Sequence, residues 1–118
     1  MRHLSLPDGS QVQLNSKSTL LYPKQFTGKE RCVYLVGEAN FKVNPDKKHP
    51  FIVKSDDFQV TALGTEFNVS AYPENQEIST ALLSGSVLVE WGNLPQRTVL
   101  QPDEQFPYDK ENRQFRVV

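Results

Sequence analysis

Apolar and polar residues alternate with a period of two along most of this chain. Gln11-Val12-Gln13-Leu14, Glu38-Ala39-Asn40-Phe41-Lys42-Val43, Thr65-Glu66-Phe67-Asn68-Val69 and Ser86-Val87-Leu88-Val89-Glu90 all show it. Such alternation marks half-buried strands, whose successive side chains point to opposite faces. Phe51-Ile52-Val53 and Phe58-Gln59-Val60-Thr61-Ala62-Leu63 add β-branched and aromatic residues, which suit a pleated surface. No window of eleven residues carries an apolar stripe at helical spacing, and eight prolines cut the chain into short pieces. The pattern predicts an all-β single domain: a sandwich or flattened roll of about a dozen short, mostly antiparallel strands.

Turn chemistry falls where those strands should end. Pro7-Asp8-Gly9-Ser10 reads as a tight turn, Ser55-Asp56-Asp57 as a hairpin connection, and Asn44 to Pro50 as a polar loop bounded by prolines. Asp8 and Gly9 are therefore turn residues. Gly37, Gly64 and Gly85 interrupt strand-like stretches and are expected at bulges or bends, at least one with a positive φ or a backbone too close for a Cβ. Gly9 to Leu14 is echoed by Gly64 to Val69, Tyr22-Pro23 by Tyr72-Pro73, and Leu35 to Val43 by Leu83 to Val89. The order suggests either two similar β units stacked on each other or the chance re-use of turn residues common in β chains.

Charge narrows the function classes. With 13 Lys+Arg against 14 Asp+Glu the net charge is −1, which gives no reason to approach nucleic acid or anionic lipid. The longest apolar run, Cys32 to Val36, is far short of a membrane span, and no signal-peptide pattern opens the chain. A lone cysteine forms no intramolecular disulfide, and Cys32 reads as a small buried hydrophobe.

A search for chemistry returns little. His3, His49 and Cys32 lack metal-ligand spacing, and no cofactor is expected. Asp56-Asp57 and Asp103-Glu104 read as solvated turns rather than a calcium loop. There is no nucleophile elbow, P-loop or dinucleotide fingerprint. Asn68-Val69-Ser70 matches a glycosylation sequon inside a strand, a chance match. His49 reads as an exposed loop histidine. Tyr22, Tyr34, Phe41, Phe51, Phe58, Phe67 and Tyr72 sit in strand contexts that point to core packing. Trp91, before Gly92-Asn93-Leu94-Pro95, reads as a cap over the core in preference to an exposed recognition residue.

Several of these segments, taken in order, resemble the FecR domain. They are Leu6 to Asn15 with Ser18 and Leu21-Tyr22-Pro23, then Phe26, Arg31 to Val43 and Pro50 to Lys54, then Val60, Leu63 to Tyr72 and Leu82 to Val89. The resemblance covers nearly the whole chain. Asn40 and Lys42 depart from the family's usual aromatic or small residue and acidic residue, which should alter surface chemistry rather than fold.

What the resemblance implies is a periplasmic domain, residues 1–118, of a membrane-anchored anti-sigma regulator. In that family a cytoplasmic segment holds an extracytoplasmic-function sigma factor, and one membrane helix leads to this domain. A further C-terminal domain meets the signalling domain of a TonB-dependent outer-membrane transporter. The sigma-binding segment and membrane helix are not in this sequence, so it reads as a piece of a longer protein. A relay domain needs no cofactor or catalytic group. The alternative from another class is a carbohydrate-binding β-sandwich; a hydrolase would need a concave pocket with a perturbed acid or base.

Overall fold

One strand organises the computed structural model, which describes residues 1–56, 58–91, 96–109 and the backbone of 114–115. Arg31–Lys42 runs for twelve residues as β4 and belongs to two sheets at once. Before it come β1 (Arg2–Ser5), β2 (Gln11–Leu14) and β3 (Thr19–Leu21). After it come β5 (Phe51–Ser55), β6 (Phe58–Ala62), β7 (Glu66–Ala71) and β8 (Glu77–Ser84). The chain continues through β9 (Val87–Trp91), β10 (Gln96–Leu100), β11 (Gln105–Asp109) and β12 (Gln114–Phe115). This is an all-β single domain, with no helix among the described residues.

The first half of β4 pairs with β3 on one side and β5 on the other; that sheet continues as β5-β6-β9-β10. The second half pairs with β2 and β7, and its sheet runs β1-β2-β4-β7-β8-β11-β12. The two sheets fold over each other as a sandwich close to a barrel, with β4 as the shared corner. Every pairing is antiparallel except β4 with β5, where Arg31 to Tyr34 run alongside Phe51 to Lys54.

Alternation places the core where the sequence pattern puts it. Val33, Leu35, Ala39 and Phe41 of β4 are buried, and Tyr34, Val36, Glu38 and Asn40 between them face outward. Phe41 stacks on Phe67 with centroids 5.3 Å apart and touches Phe51 of the facing sheet at 6.0 Å. At the other end Trp91 meets Phe106 at 4.9 Å, and Phe58 stacks on Tyr108 at 5.7 Å. Aromatic pairs in this range add about 0.5–1.5 kcal/mol each beyond the area they bury. Trp91 is 3% exposed and closes the core as a cap, not as a surface platform.

Gly37 is where β4 changes sheets. Val36 still pairs with Thr19, whereas Gly37 pairs with Ala71. Its φ of +111° is a region that a side chain strains to reach. Ser18 packs against the bend: a Cβ on Gly37 would fall 2.7 Å from the Ser18 Cα. The Ser18 Oγ uses this closeness to accept a hydrogen bond from the Glu38 N–H at 2.8 Å.

Three expectations need correction. Cys32 is half-buried on the outer face, not in the core, because it alternates out of phase with Val33. Tyr22 and Tyr34 are exposed and Tyr72 half-buried; Tyr34 falls on the outward phase of β4, and Tyr22 follows the end of β3. The echoed segments Gln11–Leu14 and Glu66–Val69 do not open two stacked units. They flank β4 side by side, with Val12 and Phe67 both opposite Phe41 and Gln13 and Asn68 both opposite Asn40. Asp57 and the segment 92–95 after Trp91 lie outside the described residues.

Candidate functional site

Arg31 opens β4 in the core phase of the alternation, and 3% of it is exposed. Burying an unpaired guanidinium is prohibitive, so its donors must be matched. Its Nη1 donates to the Asp8 Oδ2 and to the Asn44 carbonyl, each at 2.7 Å, and its Nε donates to the His49 carbonyl at 2.7 Å. Nη2 reaches the Asp46 and Leu63 carbonyls at 3.4 and 3.5 Å. The guanidinium also lies 5.5 Å from the centroid of the Phe51 ring, within cation–π range. One side chain thus ties the first turn, the loop 44–50 and the turn after β6 to the end of β4.

Asp8 is shaped for this task. Its Oδ1 accepts from the Ser10 N–H at 3.0 Å, and its Oδ2 from the Ser10 hydroxyl at 2.8 Å. The Gly9 N–H closes the turn onto the Leu6 carbonyl, and Gly9 takes a φ of +89°. Gly64 sits against Pro45 of the same loop cluster, its missing Cβ 2.9 Å from the Pro45 Cα. Gly85 joins β8 to β9 with a φ of +79° beside Thr65. These turn residues build a structural scaffold around the loops.

The other candidates are scattered. His3 is exposed on β1; Cys32 lies on β4, where burial pushes its thiol pKa up. His49 meets Asp46 through Nδ1 at 2.8 Å on the surface, and that hydrogen bond holds the Asp46 carboxyl below its usual range. A groove of about 550 Å³ between the ends of β6, β9 and β10 is lined by Thr61, Leu63, Thr65, Leu88 and Val99 among others, with no titratable side chain.

The two outer faces differ in character. Outside the β2-β4-β7-β8 sheet, one row across the strands reads Gln13, Asn40, Asn68, Ala81 and Gln105. Glu38 accepts from Asn15 and Asn68 there, and Glu66 from Asn40. Outside the β3-β4-β5-β6-β9-β10 sheet, one row reads Cys32, Ile52, Thr61, Leu88 and Val99. Leu21, Tyr34 and Val36 stand exposed at its β3 end, with the Lys54 ammonium 5.9 Å from the Tyr34 ring centroid. The exposed apolar residues of this face stand at its two ends, Leu21, Tyr34 and Val36 at β3 and Val99 at β10, and such residues mark surfaces suited to a partner. Sequence reasoning missed both this face and the Arg31 anchor, although the phase of β4 encodes each: odd positions in, even positions out.

Comparison with known proteins adds an independent line. The family model described as FecR protein matches residues 1–88. No curated protein matches the chain. Two crystal structures of a protein described as a putative anti-sigma factor from Parabacteroides distasonis, at 1.65 and 2.50 Å resolution, are 34% identical to it. Each superposes with a TM-score of 0.94 over 99% of this chain and 54% of its own. The chain therefore spans little more than half the length of those relatives. With the family model covering the whole of the first nine strands except the last few residues of β9, this chain belongs to the FecR family.

Proposed function

We propose that the chain is the periplasmic signal-relay domain of a membrane-anchored anti-sigma factor. In this reading it helps pass a signal from a TonB-dependent outer-membrane transporter to an extracytoplasmic-function sigma factor. The observation that carries the reading is the overlay of 99% of the chain on the anti-sigma relative, together with the FecR match. The sigma factor would be held by a cytoplasmic segment of the full-length protein, and this domain would act by binding protein rather than by transforming a substrate.

The surface chemistry supports a binding role. The domain offers free strand edges and an outer face with exposed Leu21, Tyr34, Val36 and Val99. Edges and apolar faces are the means by which sheets recruit partners. The groove beside Val99 is lined by groups that neither titrate nor act as nucleophiles at neutral pH, apart from unactivated hydroxyls. Trp91, read from the sequence as a cap in preference to an exposed recognition residue, is buried against Phe106 and Tyr108.

The test is direct binding. The full extracytoplasmic region, and this chain alone, are titrated calorimetrically against the signalling domain of the transporter encoded beside the parent gene. Saturable binding by the full region, weakened when residues 6–108 are removed, is the expected result. Unchanged binding after that removal, or saturable binding of this chain to glycans, contradicts the proposal.

A further inference from the structure

Among the open strand edges, β10 is the least protected. β3 offers three residues before Pro23, β12 two, and β1 four that include Arg2 and His3. Short or charged edges resist an added strand. β10 offers five residues, Gln96 to Leu100, with no proline and Arg97 as its one charge, and among the described residues it pairs only with β9. Its outward edge leaves backbone donors and acceptors with no strand beside them among the described residues, and the group that satisfies such a row best is another extended backbone.

The topology places this edge at a seam. Counted outward from β4, β10 and β12 are each the fourth strand, at the two ends of the same curled sheet. Their inner neighbours β9 and β11 face each other through Trp91 and Phe106. Among the described residues both edges therefore lie along one side of the sandwich. A strand laid on β10 would enter that seam, with one face beside buried Leu100 and the other beside Val99 and Arg97.

The side chains say what such a strand should carry. Val99 is 52% exposed and lines the groove with Thr61, Leu63 and Leu88. Arg97, two residues earlier on the same face, is exposed and makes no side-chain hydrogen bond or ion pair among the described residues. Its cross-strand neighbour Glu90 already accepts from Gln59 at 3.1 Å. We infer that β10 is the edge onto which the partner adds a strand, an extended segment apolar at alternate positions with a carboxylate opposite Arg97. This inference rests on the relay reading for the partner's role, but the edge itself can be tested without it.

The probe is an acetylated nonapeptide with valines on its inner face, and a central glutamate flanked by valine on its outer face. A second version replaces the glutamate by lysine. Amide exchange of the 118-residue chain is followed by NMR. The glutamate peptide should slow exchange in Gln96 to Leu100 by about tenfold or more. The lysine peptide should bind about tenfold more weakly, and Arg97→Glu should reverse that preference. Protection at β1 or β3 instead, protection that follows self-association without peptide, or no protection at millimolar peptide overturns the inference. In cells, Arg97→Glu and Val99→Lys in the full-length regulator should each cut induction of the sigma-dependent promoter several-fold. Their melting temperatures should stay near wild type, since both side chains are exposed. If removing the whole domain abolishes induction while both variants induce normally, the edge assignment fails and the relay reading stands. If removing the domain changes nothing, the relay reading fails, and the peptide experiment alone decides whether β10 accepts strands.

Discussion

The Arg31 guanidinium and the Asp8 carboxylate meet at 2.7 Å with 4% and 13% of their side chains exposed, joining the first turn of the chain to the start of its central strand. Arg31 also donates to the Asn44 and His49 carbonyls, and among the described residues Asp8 makes no second ion pair. Arg31→Ala strands several buried acceptors and should lower stability by about 3–5 kcal/mol. Asp8→Ala leaves the buried guanidinium without its counter-charge and removes both Ser10 bonds, so it too should lower stability by about 3–5 kcal/mol. Urea denaturation of both variants checks this; a loss below about 1 kcal/mol for Asp8→Ala would show that the carbonyl acceptors alone satisfy the charge.

A second relationship, between Gly37 and Ser18, predicts strain. Any side chain at Gly37 meets both a positive φ and the Ser18 backbone, so Gly37→Ala should destabilise by about 1–3 kcal/mol. Ser18→Ala removes the acceptor for the Glu38 N–H at a loss of about 1 kcal/mol. Because the clash reaches the Ser18 Cα as well as its side chain, Ser18→Gly should not rescue Gly37→Ala. Thermal melts of the single and double variants check this.

The Asp46 carboxyl titrates below its usual range because His49 hydrogen-bonds to it, with the Lys48 N–H assisting and desolvation opposing. A carboxyl whose folded pKa is depressed contributes stability above the unfolded value near ~3.9, and that contribution is lost as pH falls through the folded value. NMR titration should therefore find the Asp46 midpoint shifted upward in His49→Ala. The accompanying loss of stability should be present above the unfolded value, disappear in acid, and be small, since both groups are at the surface.

Cys32 should react slowly with disulfide reagents. Burial pushes its thiol up, Lys54 partly offsets this, and Glu30 adds slightly to it. The thiolate is the reactive form, so labelling at pH 8 should accelerate on unfolding and slow further in Lys54→Gln. A labelling rate equal to that of the unfolded chain would show the outer face to be more open than its half-buried cysteine implies.

Much of the fold is legible in the alternation itself. The run from Glu38 to Val43 shows its buried and outward phases in sequence, and the structure keeps that phase through the whole of β4. Turn residues around Asp8 and Gly9 are legible because their chemistry is local. The errors at Cys32 and Tyr34 came from reading residue type ahead of phase. What alternation cannot convey is which strands become neighbours. The parallel pairing of β4 with β5 and the equal registers of Val12 and Phe67 against Phe41 depend on contacts between distant segments. The same holds for Arg31, whose acceptors at residues 8, 44, 46, 49 and 63 converge only after the sheets close.

The central claim, that this domain works in a relay, is tested most directly in cells carrying the full-length regulator. Residues 6–108 are deleted with the sigma-binding segment and membrane helix left in place, and transcription from the cognate sigma-dependent promoter is measured with and without inducer. The account predicts that the response to inducer is lost while the truncated protein is still present at the membrane. An undiminished response to inducer would contradict it.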